Sequence, residues 1–231
     1  MSSPKIKSND PHSPEGHRQR LRDRFQKTRL EGFQDYEILE LLLTFAIPRR
    51  DVKPIAREAI RRFGSLGSLL DANGSELLGV PGLGPNSVIL IKLMRELTDY
   101  YLEQPLHQCS VLENRGAVVR YIRSKLGGGG KESLMVLFFG SRSRLIDRQI
   151  YPGTVDRSAL FIREIVERAM FCRAVGIVAA HNHPSGFCTP SPEDRAFTRT
   201  LLAALEPLGI ALYDHLIITH SAASSLLSDP Q

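Results

Sequence analysis

The spacing of apolar residues changes near the middle of the chain. Before residue 104 the apolar positions recur every three or four residues, as at Ile55, Ala59 and Phe63, which is the period of an amphipathic helix. Further along, short apolar runs of strand length alternate with helical segments. The pattern predicts a small all-helical domain over residues 17–104, a linker at 105–113 and an α/β domain over 114–224.

Local signals mark several helix ends in the first half. Residues 1–16 contain three prolines and few apolar groups, which predicts a disordered tail, and a helix is expected to begin near His17. Asp35 is a good N-cap for the apolar segment that follows it. Gly64 is expected to end the next helix, because glycine readily adopts the left-handed conformation found there.

The second half contains four runs typical of strands, which start near residues 134, 143, 174 and 210. Three amphipathic segments predict the helices of this half: RGAVVRYIRSKL, SALFIREIVERAMFC and PEDRAFTRTLLAALEPLG. Strands that alternate with helices predict a layered α/β domain, in which helices cover both faces of a sheet.

The composition narrows the class of protein. Of the 231 residues, 42% are apolar, which is enough for a buried core, yet no stretch approaches the roughly 20 apolar residues of a membrane span. The N-terminus lacks the apolar segment of a signal peptide. The three cysteines are far apart and include no CxxC pair, which argues against a disulfide framework or a thiolate zinc cluster. We therefore expect a cytoplasmic protein.

The positive charge is concentrated at the start of the chain. The net charge is +5, and residues 1–30 carry eight Lys or Arg against three Asp or Glu. The arginine-rich segment that begins at His17 is compatible with contacts to phosphate or RNA. A solvated helix face is equally compatible with it.

A glycine-rich turn, VPGLGPNSV, lies between two predicted helices. Gly82 and Gly84 permit a tight turn, and Pro85 suits the first turn of the following helix. The free amides at such a helix start can bind an anion. The segment resembles a helix-hairpin-helix module, which implies DNA phosphate contacts from Gly82, Leu83 and Gly84. A plain packing turn is the alternative.

Two histidines follow an apolar strand in the segment HNHPSGFCTPSPED. Because alternate residues of an extended segment point the same way, His181 and His183 can aim at one point, as zinc ligands do. Asp194 can supply a third ligand if the loop folds back. The alternatives are an ordinary exposed loop and, for Asp194, a capping box in which Ser191 is the N-cap.

Other zinc chemistries fit the sequence less well. A nucleoside deaminase requires H-x-E followed by P-C-x-x-C, but residue 183 is His and the chain has no such cysteine pair. The H-E-x-x-H motif of many metalloproteases is also missing from the sequence.

The same segment closely resembles the JAMM (MPN+) metalloprotease motif, in which H-x-H is followed by seven residues, the first of them Pro184 here, and then by S-x-x-D. The HNHPSG form resembles the bacterial RadC family, as do GTVDRSALFIREIVERA, YDHLIIT and the N-terminal stretch GHRQRLRDRF. The resemblance covers residues 16–220. It implies a JAB/MPN-type α/β/α sandwich with a mixed sheet, preceded by a helix-hairpin-helix domain.

The resemblance also implies roles for individual residues. Zinc would be held by His181, His183 and Asp194 with a water as fourth ligand, and Ser191 would donate a hydrogen bond to the oxyanion. The family uses a glutamate on an early strand as general acid/base, for which Glu132 is the candidate and Glu164 the alternative. His215 is either a neighbour of the metal ligands or a core histidine, and Cys188 is not expected to be a ligand.

Two functions follow as hypotheses. The first is a zinc-dependent hydrolase of JAMM type that cuts an amide or isopeptide bond in a protein or peptide substrate, with an attached DNA-binding helical domain. The second is a non-proteolytic DNA repair or recombination accessory protein that uses the JAMM fold as a scaffold.

Overall fold

The computed structural model describes residues 14–128, 131–153 and 158–227. The chain divides into two compact units, Met1–Glu96 and Leu97–Gln231. No described helix combines the length and apolar character that crossing a membrane requires.

The regular elements of the first unit, over its described residues 14–96, are all helices. In chain order the helices are α1 (Pro14–Thr28), α2 (Asp35–Ala46), α3 (Lys53–Phe63), α4 (Leu66–Asp71), α5 (Gly74–Leu78) and α6 (Pro85–Gln108), the last of which crosses the boundary between the units. Their apolar faces meet in a core that includes Leu39, Leu43, Ile55 and Leu77. Each of these side chains is at most 5% exposed, so burial of apolar surface stabilises the unit.

Two helix starts differ from the sequence-based expectation. The first helix begins at Pro14, so residues 14–16 of the predicted tail are helical; proline is tolerated in a first turn, where no intrahelical amide bond is needed. Residues 1–13 lie outside the described part. Asp35 is the first residue of α2, whose N-cap is Gln34.

Gln34, and not Asp35, is the N-cap of α2 because Gln34 forms a capping box with Glu37. Glu37 accepts a hydrogen bond from the amide of Gln34 at 3.0 Å, which fixes Gln34 as the boundary residue. Asp35 is used elsewhere, since its carboxylate accepts the amide of Leu66 at the start of α4 at 2.7 Å. The predicted end of α3 is confirmed, because its C-cap is Gly64 with φ +83°.

The arginine-rich segment of α1 is engaged within its own unit. The His17 ring lies 2.6 Å from Glu40, Arg18 donates to the carbonyl of Ile47 at 2.9 Å, and Arg24 pairs with Glu37 at 2.9 Å. The contacts with Glu40 and Glu37 join α1 to α2, and the bond from Arg18 joins α1 to the residue that follows α2. Arg18 and Arg24 are therefore used to hold α1 against the neighbouring helix.

The second unit contains a five-stranded mixed sheet. Its elements are the end of α6, then α7 (Arg115–Leu126), β1 (Ser133–Phe139), β2 (Leu145–Pro152), α8 (Ser158–Phe171), β3 (Gly176–Asn182), α9 (Pro192–Leu205), β4 (Ala211–Ile218) and β5 (Ala223–Ser225). Residues 105–108 of the expected linker are helical, because α6 continues to Gln108.

The strand order is β2-β1-β3-β4-β5. β3 and β4 are parallel, whereas β1 is antiparallel to both β2 and β3, and β5 is antiparallel to β4. One sheet face packs on α7 through a cluster that includes Val118 and Ile122. The other packs on α8 and α9 through Ile165 and Leu201. Helices on both faces of a mixed sheet confirm the layered α/β arrangement.

Candidate metal centre

The connection between two parallel strands brings the histidines and the aspartate together. His181 is the penultimate residue of β3, and α9 carries the chain back to the start of the parallel strand β4. A helix that makes such a crossover begins at the end of the sheet where the preceding strand finishes. Asp194, in the first turn of α9, therefore lies beside the end of β3.

The antiparallel register of β1 and β3 brings in the glutamate. Leu134 pairs with His181 in this ladder, so the residue two positions before Leu134 lies opposite the residue two positions after His181. Glu132 and His183 thus face each other, and their closest side-chain oxygen and nitrogen are 3.9 Å apart. Single ligand atoms of Glu132, His181 and His183 all lie within 4.8 Å of one another.

The three predicted metal ligands converge more closely than the glutamate. His181 Nε2 lies 3.0 Å from His183 Nε2 and 3.0 Å from Asp194 Oδ1, and His183 Nε2 lies 3.4 Å from Asp194 Oδ2. In a tetrahedral zinc site with bonds of about 2.0–2.1 Å, neighbouring ligand atoms are about 3.3 Å apart. The spacing of these atoms fits a zinc-sized cation.

Asp194 belongs to a helix cap and also faces the two histidines. Its amide donates to Ser191 Oγ at 3.1 Å and its Oδ2 accepts the amide of Ser191 at 2.8 Å, so the predicted capping box is confirmed. Burial alone would raise the pKa of Asp194, but its contact with His181 and the bonds from Ser191 bring that pKa well below its usual value. The carboxylate is therefore ionised, as a metal ligand must be.

A tight turn fixes the orientation of the His183 ring. Its Nδ1 lies 2.9 Å from the carbonyl oxygen of Phe187, and a carbonyl can only accept. Gly186, with φ +85°, provides the left-handed turn that brings this carbonyl back. The Nδ1 of the ring therefore donates to this carbonyl, and Nε2 faces His181 and Asp194.

His215 contacts a metal-ligand candidate directly. Its Nε2 lies 3.0 Å from His181 Nδ1, and its Nδ1 lies 2.6 Å from the hydroxyl of Thr198. The residue is 1% exposed. Burial, together with the neighbouring His181, lowers the pKa of His215 to about 3. His215 is thus a neutral ring placed behind the ligand set.

Two residues of this site escaped the sequence analysis. Thr198 has no motif around it and faces His215 only because α9 packs on β4. Asn182, between the two histidines, accepts the amide of Ser133 at 2.8 Å and donates to the carbonyl of Lys131 at 3.0 Å. Its position between the two candidate ligands is a signal that the sequence offered.

Glu164 and Cys188 lie in other surroundings. Glu164 is exposed on α8 and lines a groove with Tyr151, Glu167 and Arg168. The sulfur of Cys188 is 3.6 Å from the hydroxyl of Thr219. Of the two glutamates, Glu132 is the one that adjoins the histidine pair.

The glycine turn joins α5 and α6 in the first unit. Gly82 has φ +94°, and a Cβ there would lie 2.8 Å from Ile55 Cδ1; Leu83 is buried in the core at 5% exposure. Lys92 donates to the carbonyls of Leu70 and Ala72, each at 3.0 Å. The charge of Lys92 is therefore used to bind the carbonyls at the C-terminal end of α4.

Two comparisons with known proteins show which family this chain belongs to. Residues 112–230 match the family model of the RadC-like JAB domain. The chain is 36% identical over 223 residues to a UPF0758 protein of Fusobacterium nucleatum subsp. nucleatum, covering 93% of this chain and 96% of that protein. The match to the family model spans more than half of the chain, and the similarity to the relative spans nearly all of it. The chain therefore belongs to the RadC family.

Proposed function

We propose that this protein is a zinc-dependent hydrolase of JAMM type, which cuts an amide or isopeptide bond in a protein or peptide. The observation that carries the proposal is the convergence of His181, His183 and Asp194 within 3.0–3.4 Å of one another, with Glu132 on the side of His183. At these distances a single cation could contact both imidazole nitrogens and the carboxylate.

The ligand set suits the metal in its chemistry. Two neutral imidazoles and one carboxylate, with room for a further ligand, are a ligand set of catalytic zinc sites. When bound there, zinc would supply positive charge that acidifies water and polarises a carbonyl group. His181 and Asp194 are almost fully buried, with side chains 1% and 3% exposed, whereas the side chain of His183 is 14% exposed. Substrate access is therefore on the side of His183.

Glu132 is the proposed general acid/base. Its side chain is 26% exposed and its carboxylate lies 3.9 Å from His183 Nε2, on the side from which a water would approach the proposed metal ligands. The carboxylate takes a proton from the attacking water as the new bond to the carbonyl carbon forms. It then gives that proton to the nitrogen as the C–N bond breaks.

Ser191 is the proposed oxyanion donor. Its Oγ accepts the amide of Asp194, which uses a lone pair of the oxygen and leaves the hydroxyl proton free to donate. A donor directed at the carbonyl oxygen stabilises the charge that develops there during attack. Next to the site, the side chain of Phe187 is exposed (73%), which offers an apolar contact to a substrate.

Matched variants test the proposal. Metal analysis of purified wild type should give one zinc per chain, and the His181→Ala/His183→Ala double variant should give none. Hydrolysis of a fluorogenic peptide or a ubiquitin-like fusion should disappear in Asp194→Ala. Glu132→Gln should keep its zinc and lose activity, while Glu164→Gln should keep both. Absence of stoichiometric metal in wild type would contradict the proposal.

DNA binding by the first unit is the second candidate function. The turn geometry supports it, since Gly82 at φ +94° allows the segment Gly82, Leu83 and Gly84 to lead its backbone into the start of α6, where amides can bind a phosphate. In this function the protein would be a non-proteolytic accessory factor. Salt-sensitive binding to branched or single-stranded DNA that survives zinc removal would favour this function. Failure of the protein to bind DNA even at low salt would exclude it.

A further inference from the structure

A chain of hydrogen bonds runs from α9 to the back of His181. Thr198, His215 and His181 follow one another along it, and they are 6%, 1% and 1% exposed. The hydroxyl of Thr198 donates to the carbonyl of Asp194 at 2.7 Å. The chain therefore starts on the backbone of one proposed metal ligand and ends on the ring of another.

The polarity of the first bond sets the direction of the others. A backbone carbonyl only accepts, and a threonine hydroxyl has a single proton. With that proton on Asp194 O, the Thr198 oxygen must accept from His215 Nδ1, 2.6 Å away. A neutral imidazole also has one proton, so Nε2 of His215 must accept from Nδ1 of His181, 3.0 Å away.

We infer that Thr198 and His215 are positioning residues, which hold His181 in the tautomer that leaves its Nε2 free to bind a metal. This inference rests on the proposed function, because it assigns a purpose to the metal-facing nitrogen of His181. The reversed chain, in which Thr198 donates to His215, would put a proton on His181 Nε2. That proton would occupy the lone pair that the metal needs.

The carbonyl of Phe187 has the same effect on His183, with one bond in place of three. Both histidines thus have Nδ1 engaged by a partner and turn Nε2 toward the carboxylate of Asp194. Partners of this kind behind the ligands orient the rings and typically change metal affinity by about 10–100-fold when removed. Thr198 is such a partner although it lies two hydrogen bonds away from the ligand ring.

Helix α9 offers a matched pair of variants. Thr198 and Thr200 both donate to the carbonyl four residues earlier, at 2.7 and 3.0 Å, but Thr200 is exposed. Zn2+ affinity is measured by competition with a chromophoric chelator. We expect Thr198→Val to bind Zn2+ about 10–100-fold more weakly than wild type. The Zn2+ affinities of Thr200→Val and of Thr198→Ser, which keeps the hydroxyl, should remain within a factor of about two to three of the wild-type affinity.

A second readout does not depend on metal. Long-range 1H–15N spectra of the metal-free protein report which ring nitrogen of His215 is protonated. We expect Nδ1–H in wild type and Thr198→Ser, and a shift toward Nε2–H in Thr198→Val. Equal Zn2+ affinity of the two valine variants, or Nε2–H in wild type, would overturn the inference. If wild type takes up no Zn2+, the proposed function fails, and the His215 spectrum still decides the direction of the chain.

Discussion

Asn182 holds the backbone on both sides of Glu132. Its amide oxygen accepts the N–H of Ser133, and its amide nitrogen donates to the carbonyl of Lys131. Asn182 is 3% exposed, so these bonds form where water does not compete with them. A single side chain, placed between the two histidines, thus fixes the position of the proposed acid/base relative to the proposed metal ligands.

Asn182→Ala should therefore separate metal binding from turnover. None of the three proposed ligands would change, so the variant should still bind one zinc. Turnover should fall by about 100-fold, since a displacement of about 1 Å in a reacting group has an effect of this size. The measurements are zinc content and hydrolysis rate in the same preparation.

Asn114→Ala is the matched control for this variant. Asn114 caps α7, where its side chain accepts the amide of Ala117 at 3.1 Å, so its loss should cost about 1 kcal/mol of stability. The control should keep its turnover. Equal losses of activity in the two variants would mean that stability, and not the placement of Glu132, is what Asn182 provides.

Ser191 combines a cap with a proposed catalytic donor, and two substitutions distinguish these roles. Ser191→Ala should cost about 0.5–2 kcal/mol in the free energy of unfolding and slow hydrolysis by about 10²–10³-fold. Ser191→Asp keeps an oxygen that can accept the amide of Asp194, so its stability should approach that of wild type. Its activity should stay low, because a carboxylate has no proton to donate. Recovery of activity in Ser191→Asp would argue against the donor role.

The sequence contained the parts of the site that depend on local chemistry. The alternation of a strand places His181 and His183 on one face, and the capping preference of α9 places Asp194 at a helix start. These relationships involve neighbours within a few residues, so the residue types alone indicate them. The end of α3 at Gly64 was predictable for the same reason.

Contacts that depend on pairing between distant elements were not predictable in this way. Thr198 meets His215 because α9 packs on β4, and Glu132 faces His183 because of the register of β1 against β3. A shift of one residue in the register of β1 against β3 would turn Glu132 away from the site. Asp35 shows the same limit, since its role at the start of α4 depends on a residue 31 positions away.

Gly82 and Gly84 offer a test of the turn between α5 and α6. A Cβ at Gly82 would lie 2.8 Å from Ile55 Cδ1, at a backbone φ of +94°, whereas a Cβ at Gly84 meets nothing within 4 Å. Gly82→Ala should therefore destabilise the first unit by at least about 1 kcal/mol, and Gly84→Ala should have little effect on urea unfolding. Loss of DNA binding in Gly84→Ala would then be a direct effect on the contact.

An acid-sensitive cluster joins α6, α7 and β2 in the second unit. Glu103 accepts the hydroxyl of Tyr121 at 2.9 Å, contacts His107 at 3.1 Å and pairs with Arg148. Burial alone would raise the pKa of Glu103, but the bonds from Tyr121 and His107 and the charge of Arg148 lower it overall. The charged form of Glu103 is therefore favoured by folding.

The sign of the pH dependence follows from this direction. A carboxyl whose pKa is lower in the folded state stabilises the protein above its unfolded pKa, near 4.3 for glutamate, and loses that contribution as the pH falls through the folded pKa. The free energy of unfolding of wild type should thus exceed that of Glu103→Gln just above pH about 5. The gap should narrow below pH about 4. Urea titrations of both proteins across this range measure it, with the exposed Glu113→Gln as the control expected to show little gap. If the difference in unfolding free energy between wild type and Glu103→Gln grew as the pH fell, the pKa of Glu103 would not be lowered by folding.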